Sequence, residues 1–363
     1  MRKNFHRTLT ALALVSIAAV GLLASAGSTG AAKKPYIIWL EIGAGNPYWD
    51  AQHKAAAEAG RRLGFDFKAV SGNSSASDQA AILKQLVDQK PSVIMLNAVD
   101  PKAMGPSLAY AKQHGVPVLE IYAVNPAATD SITFDELRSG RVDAEYAATL
   151  LKERYGKATG QIAVLHGILG QPQSDLRANG FINYVKKNLP GVKIVAVQGT
   201  DWTADKASAA MQDWLVKYPS LSMVYGLSDT ISVPAVNVAQ RQNRLCTEQN
   251  NWTANKNCIV FVSVDGFFLN EVAKGRLFST ELYSPQWTGW KMVQVAYNMA
   301  LKKKVPKVSY LKSMLVTKQN AACVLKMTND MINKLTTFPF TAAPTLQGIA
   351  SNVYHCQVLD ANM

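Results

Sequence analysis

The chain has 363 residues, enough for two domains of roughly 100–200 residues with a buried core in each. Hydrophobic residues make up 48% and charged residues 17%, against about 25% in an average soluble domain, which argues against long disordered tracts. The net charge of +13 is spread along the chain: its densest basic run, Lys302 to Lys304, falls at an expected helix end, where cations suit unpaired carbonyls, so no nucleic-acid partner is expected.

Arg2, Lys3 and Arg7 precede an apolar run from Leu9 to Leu23, and Ala24-Ser25-Ala26 offers a small-residue cleavage site, so residues 1–26 read as a secretory signal peptide. The run is about 15 residues long, shorter than the roughly 20 needed to span a bilayer. From Tyr36 short apolar runs alternate with amphipathic segments. Strands are predicted at Tyr36–Ile42, Phe65–Val70, Val93–Asn97 and Pro117–Ile121, with helices at 48–63, 78–89 and 102–114 between them. A second series follows: helix 137–154, strand Ile162–His166, helix 173–189, strand Val192–Gln198, helix 204–217, strand Leu221–Leu227, helix 230–241 and strand Ile259–Val264. Parallel strands need crossover helices, so the alternation predicts an α/β fold of two doubly wound parallel sheets. In such sheets a ligand sits beyond the carboxyl ends of the strands.

The unusual residues stand at those ends. Asn46, Tyr48 and Trp49 follow the first strand, Asp100 the third and Tyr122 the fourth. In the second series the ends carry His166, Asp201-Trp202, Ser228-Asp229 and Asp265-Gly266. Each also has a local reading, since Asn46, Asp100 and Asp229 suit helix caps and Gly266 suits a turn.

For an exported chain four cysteines in its last third, without C-x-x-C or matching histidine spacing, indicate disulfides rather than a metal site. Chain order suggests Cys246 with Cys258, bracketing an Asn-rich loop, and Cys323 with Cys356; the sequence alone allows three pairings.

Asn46-Pro47-Tyr48-Trp49, Ser71-Gly72-Asn73, Gly115-Val116-Pro117-Val118, Arg177-Ala178-Asn179-Gly180-Phe181 and Val264-Asp265-Gly266 together resemble the ribose-binding-protein-like periplasmic substrate-binding proteins of ABC importers. The resemblance covers roughly residues 35–320. It implies two lobes, 35–134 plus 284–312 and 135–283 plus 313–345, joined by three hinge strands that cross near Phe134, Tyr283 and Lys312. Residues 320–363 run past the family's usual end as an extension expected to pack partly on the second lobe through Cys323–Cys356. Carried over by motif, stacking aromatics fall on Tyr48, Trp49 and Trp202, and hydroxyl partners on Asn46, Arg177, Ser228, Asp265 and Tyr283. Sugars have C–H faces that pack on aromatic rings and rim hydroxyls that want planar polar partners. Tyr122-Ala123 stands where the family often carries Asp-Arg, so the site looks more aromatic than a ribose site; a polyol, a modified sugar or a nucleoside-like ligand suits it better. The resemblance further implies a monomer in the periplasm, delivering its ligand to a membrane permease. A sensor role, presenting the ligand to a histidine kinase or chemoreceptor, is the alternative.

An enzyme is the third class. No phosphate-binding loop, zinc-protease motif or nucleophile elbow occurs, and no cofactor or metal is expected. His166 is the one candidate base, with Asp265 as a conceivable partner and no serine or cysteine partner evident in the sequence.

Overall fold

The computed structural model describes residues 33–359; the signal-peptide reading of 1–26 lies outside them. The first half runs β1 (Tyr36–Glu41), α1 (Pro47–Leu63), β2 (Asp66–Ser71), α2 (Ala76–Asp88), β3 (Val93–Leu96), α3 (Gly105–Gln113), β4 (Val118–Ile121) and β5 (Asp130–Phe134). Next come α4 (Glu136–Tyr155), β6 (Thr159–His166), α5 (Pro172–Asn188), β7 (Gly191–Gly199), α6 (Ala204–Lys217), β8 (Leu221–Gly226), α7 (Asp229–Arg241) and β9 (Val260–Asp265). The chain then forms α8 (Leu269–Ala273), β10 (Ser279–Leu282), α9 (Pro285–Ala300), β11 (Val308–Leu311), β12 (Met314–Thr317), α10 (Ala321–Asn333) and α11 (Leu346–Asn352).

The strands form two six-stranded sheets, ordered β11-β5-β4-β3-β1-β2 and β12-β10-β9-β8-β6-β7. Every pairing is parallel except that of β12 with β10. Two doubly wound lobes are therefore present, as the alternation predicts. The inner strands are mostly apolar because helices cover both faces: β3, β4, β8 and β9 are buried along their whole lengths, with Glu120, Ser222, Ser263 and Asp265 as polar exceptions.

The chain changes sheet three times. It leaves the first sheet after Phe134, returns after Leu282 into α9, which packs on α1, and leaves again between Leu311 and Met314. Ends of elements follow local chemistry. Asn46 caps α1 with Pro47 at its first position, and Gly64, at φ 86°, closes it in the left-handed region where only glycine is free of Cβ strain.

Cys246–Cys258 and Cys323–Cys356 stand bonded, at S–S distances of 2.08 and 2.14 Å. The segment after β12 touches both lobes. Leu359 bridges to Leu315 on β12 and packs against Val142 of α4, on the second-lobe side. Phe340 stacks on Trp290 of α9 at 4.7 Å, and Arg62 of α1 lies over the same indole and donates to the Phe338 carbonyl at 3.0 Å, on the first-lobe side.

Candidate functional site

The carboxyl ends of β1, β4, β6, β8 and β9 converge on one cleft. Its outer part has a volume of about 720 Å³, walled mainly by carbon from Ile42, Trp49, Ile168, Trp202, Val233 and Phe268. Its inner end narrows to about 20 Å³, room for roughly one water. The first lobe lines that inner end with Ile42, Asn46, Tyr48, Trp49 and Tyr122, the second with Gln173, Arg177, Trp202, Ser228 and Asp265.

Arg177 is fully buried. Its Nε donates to Glu136 at 2.8 Å, Nη1 donates to the Leu227 carbonyl and reaches Asp265 at 3.4 Å, and Nη2 has no partner. Asp265 ends β9 at φ 91°, a conformation that costs a non-glycine residue and holds its carboxylate beside the arginine. Burial pushes its pKa up to about 6 against the opposing pull of Arg177. Ser228 caps α7, and its hydroxyl also meets that of Thr230 at 2.8 Å.

Trp202 forms a half-buried platform. Asp201 and Trp202 both lie at positive φ, 49° and 61°, which turns the indole back over Gly167. A Cβ at Gly167 would come within 2.2 Å of that ring, so only glycine lets the ring lie there. The indole N–H donates to Gln171 at 3.0 Å. On the facing lobe Tyr48 is held by a bond from its hydroxyl to the Tyr283 carbonyl at 2.5 Å, and the Tyr122 hydroxyl accepts from Gln52. Burial raises the pKa of both phenols, so they stay neutral donors at ordinary pH.

Three of the sequence candidates fall outside the lining. Asp100 is exposed and accepts from the backbone N–H groups of Lys102 and Ala103, so it closes a turn. Asp229 is fully buried, accepting from Phe268 N at 3.0 Å and the Thr280 hydroxyl at 2.9 Å; burial pushes its pKa up to about 7. Tyr283 lies behind the cleft, its ring stacked on Phe134 at 3.8 Å and its hydroxyl bonded to Ser139 and Glu136. The polar atoms of Asp229 and Tyr283 are thus already engaged by neighbours.

His166 does have a serine beside it: Ser174 Oγ lies 3.1 Å from Nδ1, and Asp175 3.4 Å from Nε2. Ser174 has no exposure, burial lowers the His166 pKa, and neither residue is among those that line the cleft. Gln173 and Gln171 escaped the sequence reading. Gln173 stands four residues before Arg177 on α5, a spacing that puts both on one helix face, and that spacing is the signal that could have found it.

A model of the periplasmic binding protein domain matches residues 39–304. The chain belongs to the periplasmic binding protein family. The xylitol-binding protein of Mycolicibacterium smegmatis is 25% identical over 217 residues, 58% of this chain and 57% of that protein. The ribose import binding protein of Bacillus subtilis is 24% identical over 207 residues, 56% of this chain and 65% of that one. The matched stretch thus spans less than two thirds of either curated relative. An ABC transporter solute binding protein from Mycobacterium smegmatis, solved with bound glycerol, superposes with a TM-score of 0.71 at 25% identity, covering 80% of this chain and 96% of that one.

Proposed function

We propose that this periplasmic binding protein captures one small polyhydroxylated molecule, a polyol or sugar, between its lobes and delivers it to the permease of an ABC importer in the periplasm. The observation that carries this reading is the buried, unpartnered Nη2 of Arg177 in a pocket lined from both lobes. A buried donor without a partner costs about 1–3 kcal/mol, and a ligand hydroxyl would satisfy it. Asp265 and Ser228 add acceptors nearby, so a vicinal diol has a donor on one side and an acceptor on the other. Trp49 and Trp202 offer faces for C–H groups, and a flat nucleoside-like ligand would use the same faces. The names of the relatives, xylitol-binding and ribose import binding, point to the same ligand class.

The inner end is too small for a sugar in this geometry, so entry requires the lobes to separate and capture requires them to close. Lobes of 35–134 plus 284–312 and 135–283 plus 313–345, with pivots near Phe134, Tyr283 and Lys312, fit that motion. The proposed role is binding without turnover. A thermal-shift screen over pentitols, pentoses, hexoses and nucleosides, followed by calorimetry, tests the reading, because a ligand that binds only the folded state raises the melting temperature. A raised melting temperature with a pentitol or sugar recovered unchanged supports it; no shift with any of these, or chemical conversion of the ligand, overturns it.

A further inference from the structure

Arg177 is held by a group that touches no ligand space. Glu136 Oε2 accepts from Nε of Arg177 at 2.8 Å and from the Tyr283 hydroxyl at 3.0 Å, and the Tyr283 ring lies 4.8 Å from the guanidinium carbon. With Nε and Nη1 both engaged, the planar guanidinium cannot rotate, and this fixes where the free Nη2 stands.

The chain of bonds continues away from the cleft. The Tyr283 hydroxyl meets Ser139 Oγ at 2.5 Å, Ser139 Oγ meets Glu281 Oε2, and Glu281 Oε1 accepts from Ser313 Oγ. Ser139 Oγ donates to Glu281 Oε2 and the Tyr283 hydroxyl donates to Glu136 Oε2, and the two hydroxyls touch each other, so one buried row of polar groups runs from Glu281 to the arginine's partner.

The members of this chain stand at the three places where the polypeptide changes sheet. Glu136 follows Phe134 at the first, Tyr283 follows Leu282 at the second, and Ser313 precedes Met314 at the third. Phe134 and Tyr283 are stacked on each other, which ties the first two together directly.

We propose that Glu136 is a positioning residue for Arg177 and that the chain Glu281–Ser139–Tyr283–Glu136 ties that position to all three hinge connections, so that aligning the arginine on a ligand and closing the lobes are one event. The inference rests on the ligand reading above for the part played by Arg177. A group that only neutralised a buried charge would affect stability and leave both the hinge and affinity alone.

Spin labels at Lys102→Cys and Asp205→Cys, exposed on opposite lobes of a protein whose four native cysteines are paired, report the inter-lobe distance without any ligand. Glu136→Gln and Tyr283→Phe are each expected to broaden that distance distribution, and Glu136→Gln to add nothing once Arg177→Met is present. With xylitol as the probe, Glu136→Gln should weaken binding at least tenfold. Unchanged distances in both variants, an equal broadening by Glu136→Gln in the Arg177→Met background, or unchanged xylitol affinity overturns the inference. Should Glu136→Gln fail to fold, Tyr283→Phe decides by distance. Should xylitol not bind the wild type, the choice of ligand fails, while the ligand-free distances still decide the inference.

Discussion

Glu120 offers a test that needs no ligand. It is fully buried on β4, where Oε1 accepts from Ala98 N at 3.3 Å and Oε2 from Asn125 Nδ2 at 3.1 Å. Burial pushes its pKa up to about 8, outweighing both hydrogen bonds, while in the unfolded chain it titrates at about 4.3. A raised folded pKa means that the folded state binds the proton more tightly. The stabilisation is therefore complete below the unfolded value and is lost as pH rises through the folded one. Between pH 5 and pH 9 the linkage amounts to about 4 kcal/mol, a large share of the 5–15 kcal/mol of a typical domain. Glu120→Gln removes this titration but turns an amide N–H₂ toward one of two N–H donors, at a cost of about 1–3 kcal/mol. The variant should be the less stable protein at pH 5 and lose that deficit by pH 9, when both are unfolded in urea. Parallel stability–pH curves for the two proteins would refute the reasoning.

Gly167→Ala drives a methyl into the Trp202 ring; the half-buried ring can swing away, so the fold should survive while calorimetry shows ligand affinity reduced about tenfold, in line with one displaced aromatic contact. Asp265→Asn keeps the shape of the cleft but removes a charged acceptor; a 10–100-fold weaker binding is expected from the about 1.5–3 kcal/mol of such a bond, and unchanged affinity would remove Asp265 from the site. Replacing Cys323 and Cys356 together by serine opens a loop of 33 residues and should lower unfolding stability by about 2–4 kcal/mol in denaturant melts, with the first disulfide intact.

The alternating pattern up to Val264 was legible because strands covered on both faces must be mostly apolar and the helices between them amphipathic. The last hundred residues were not. β10 reads Ser-Thr-Glu-Leu and β11 Val-Ser-Tyr-Leu, without the apolar run that marks the equally short β3, and β11 and β12 are sheet edges. In the cleft, Arg177, Trp202 and Asp265 could be located by strand end and motif. What holds them could not, since Gln171 and Glu136 act through side-chain bonds across 31 and 41 positions of sequence. Asp100 and Asp229 misled for the opposite reason: both stand after strands, but Asp100 closes an exposed turn and Asp229 is taken up by Phe268 N and the Thr280 hydroxyl, while Tyr283, suggested by the family resemblance, is bonded to Ser139 and Glu136.

The last two strands fix how far the chain can be shortened. β11 closes the free edge of the first sheet and β12 that of the second, and both lie beyond residue 304, where the family match stops. A recombinant form cut at that boundary would strip one outer strand from each sheet and leave β5 and β10, both buried along nearly their whole lengths, presenting unpaired N–H and C=O rows. Bare strand edges of that kind template pairing between molecules, so the shortened protein is expected to collect in aggregates during expression, whereas the chain ending at residue 363 keeps both edges occupied.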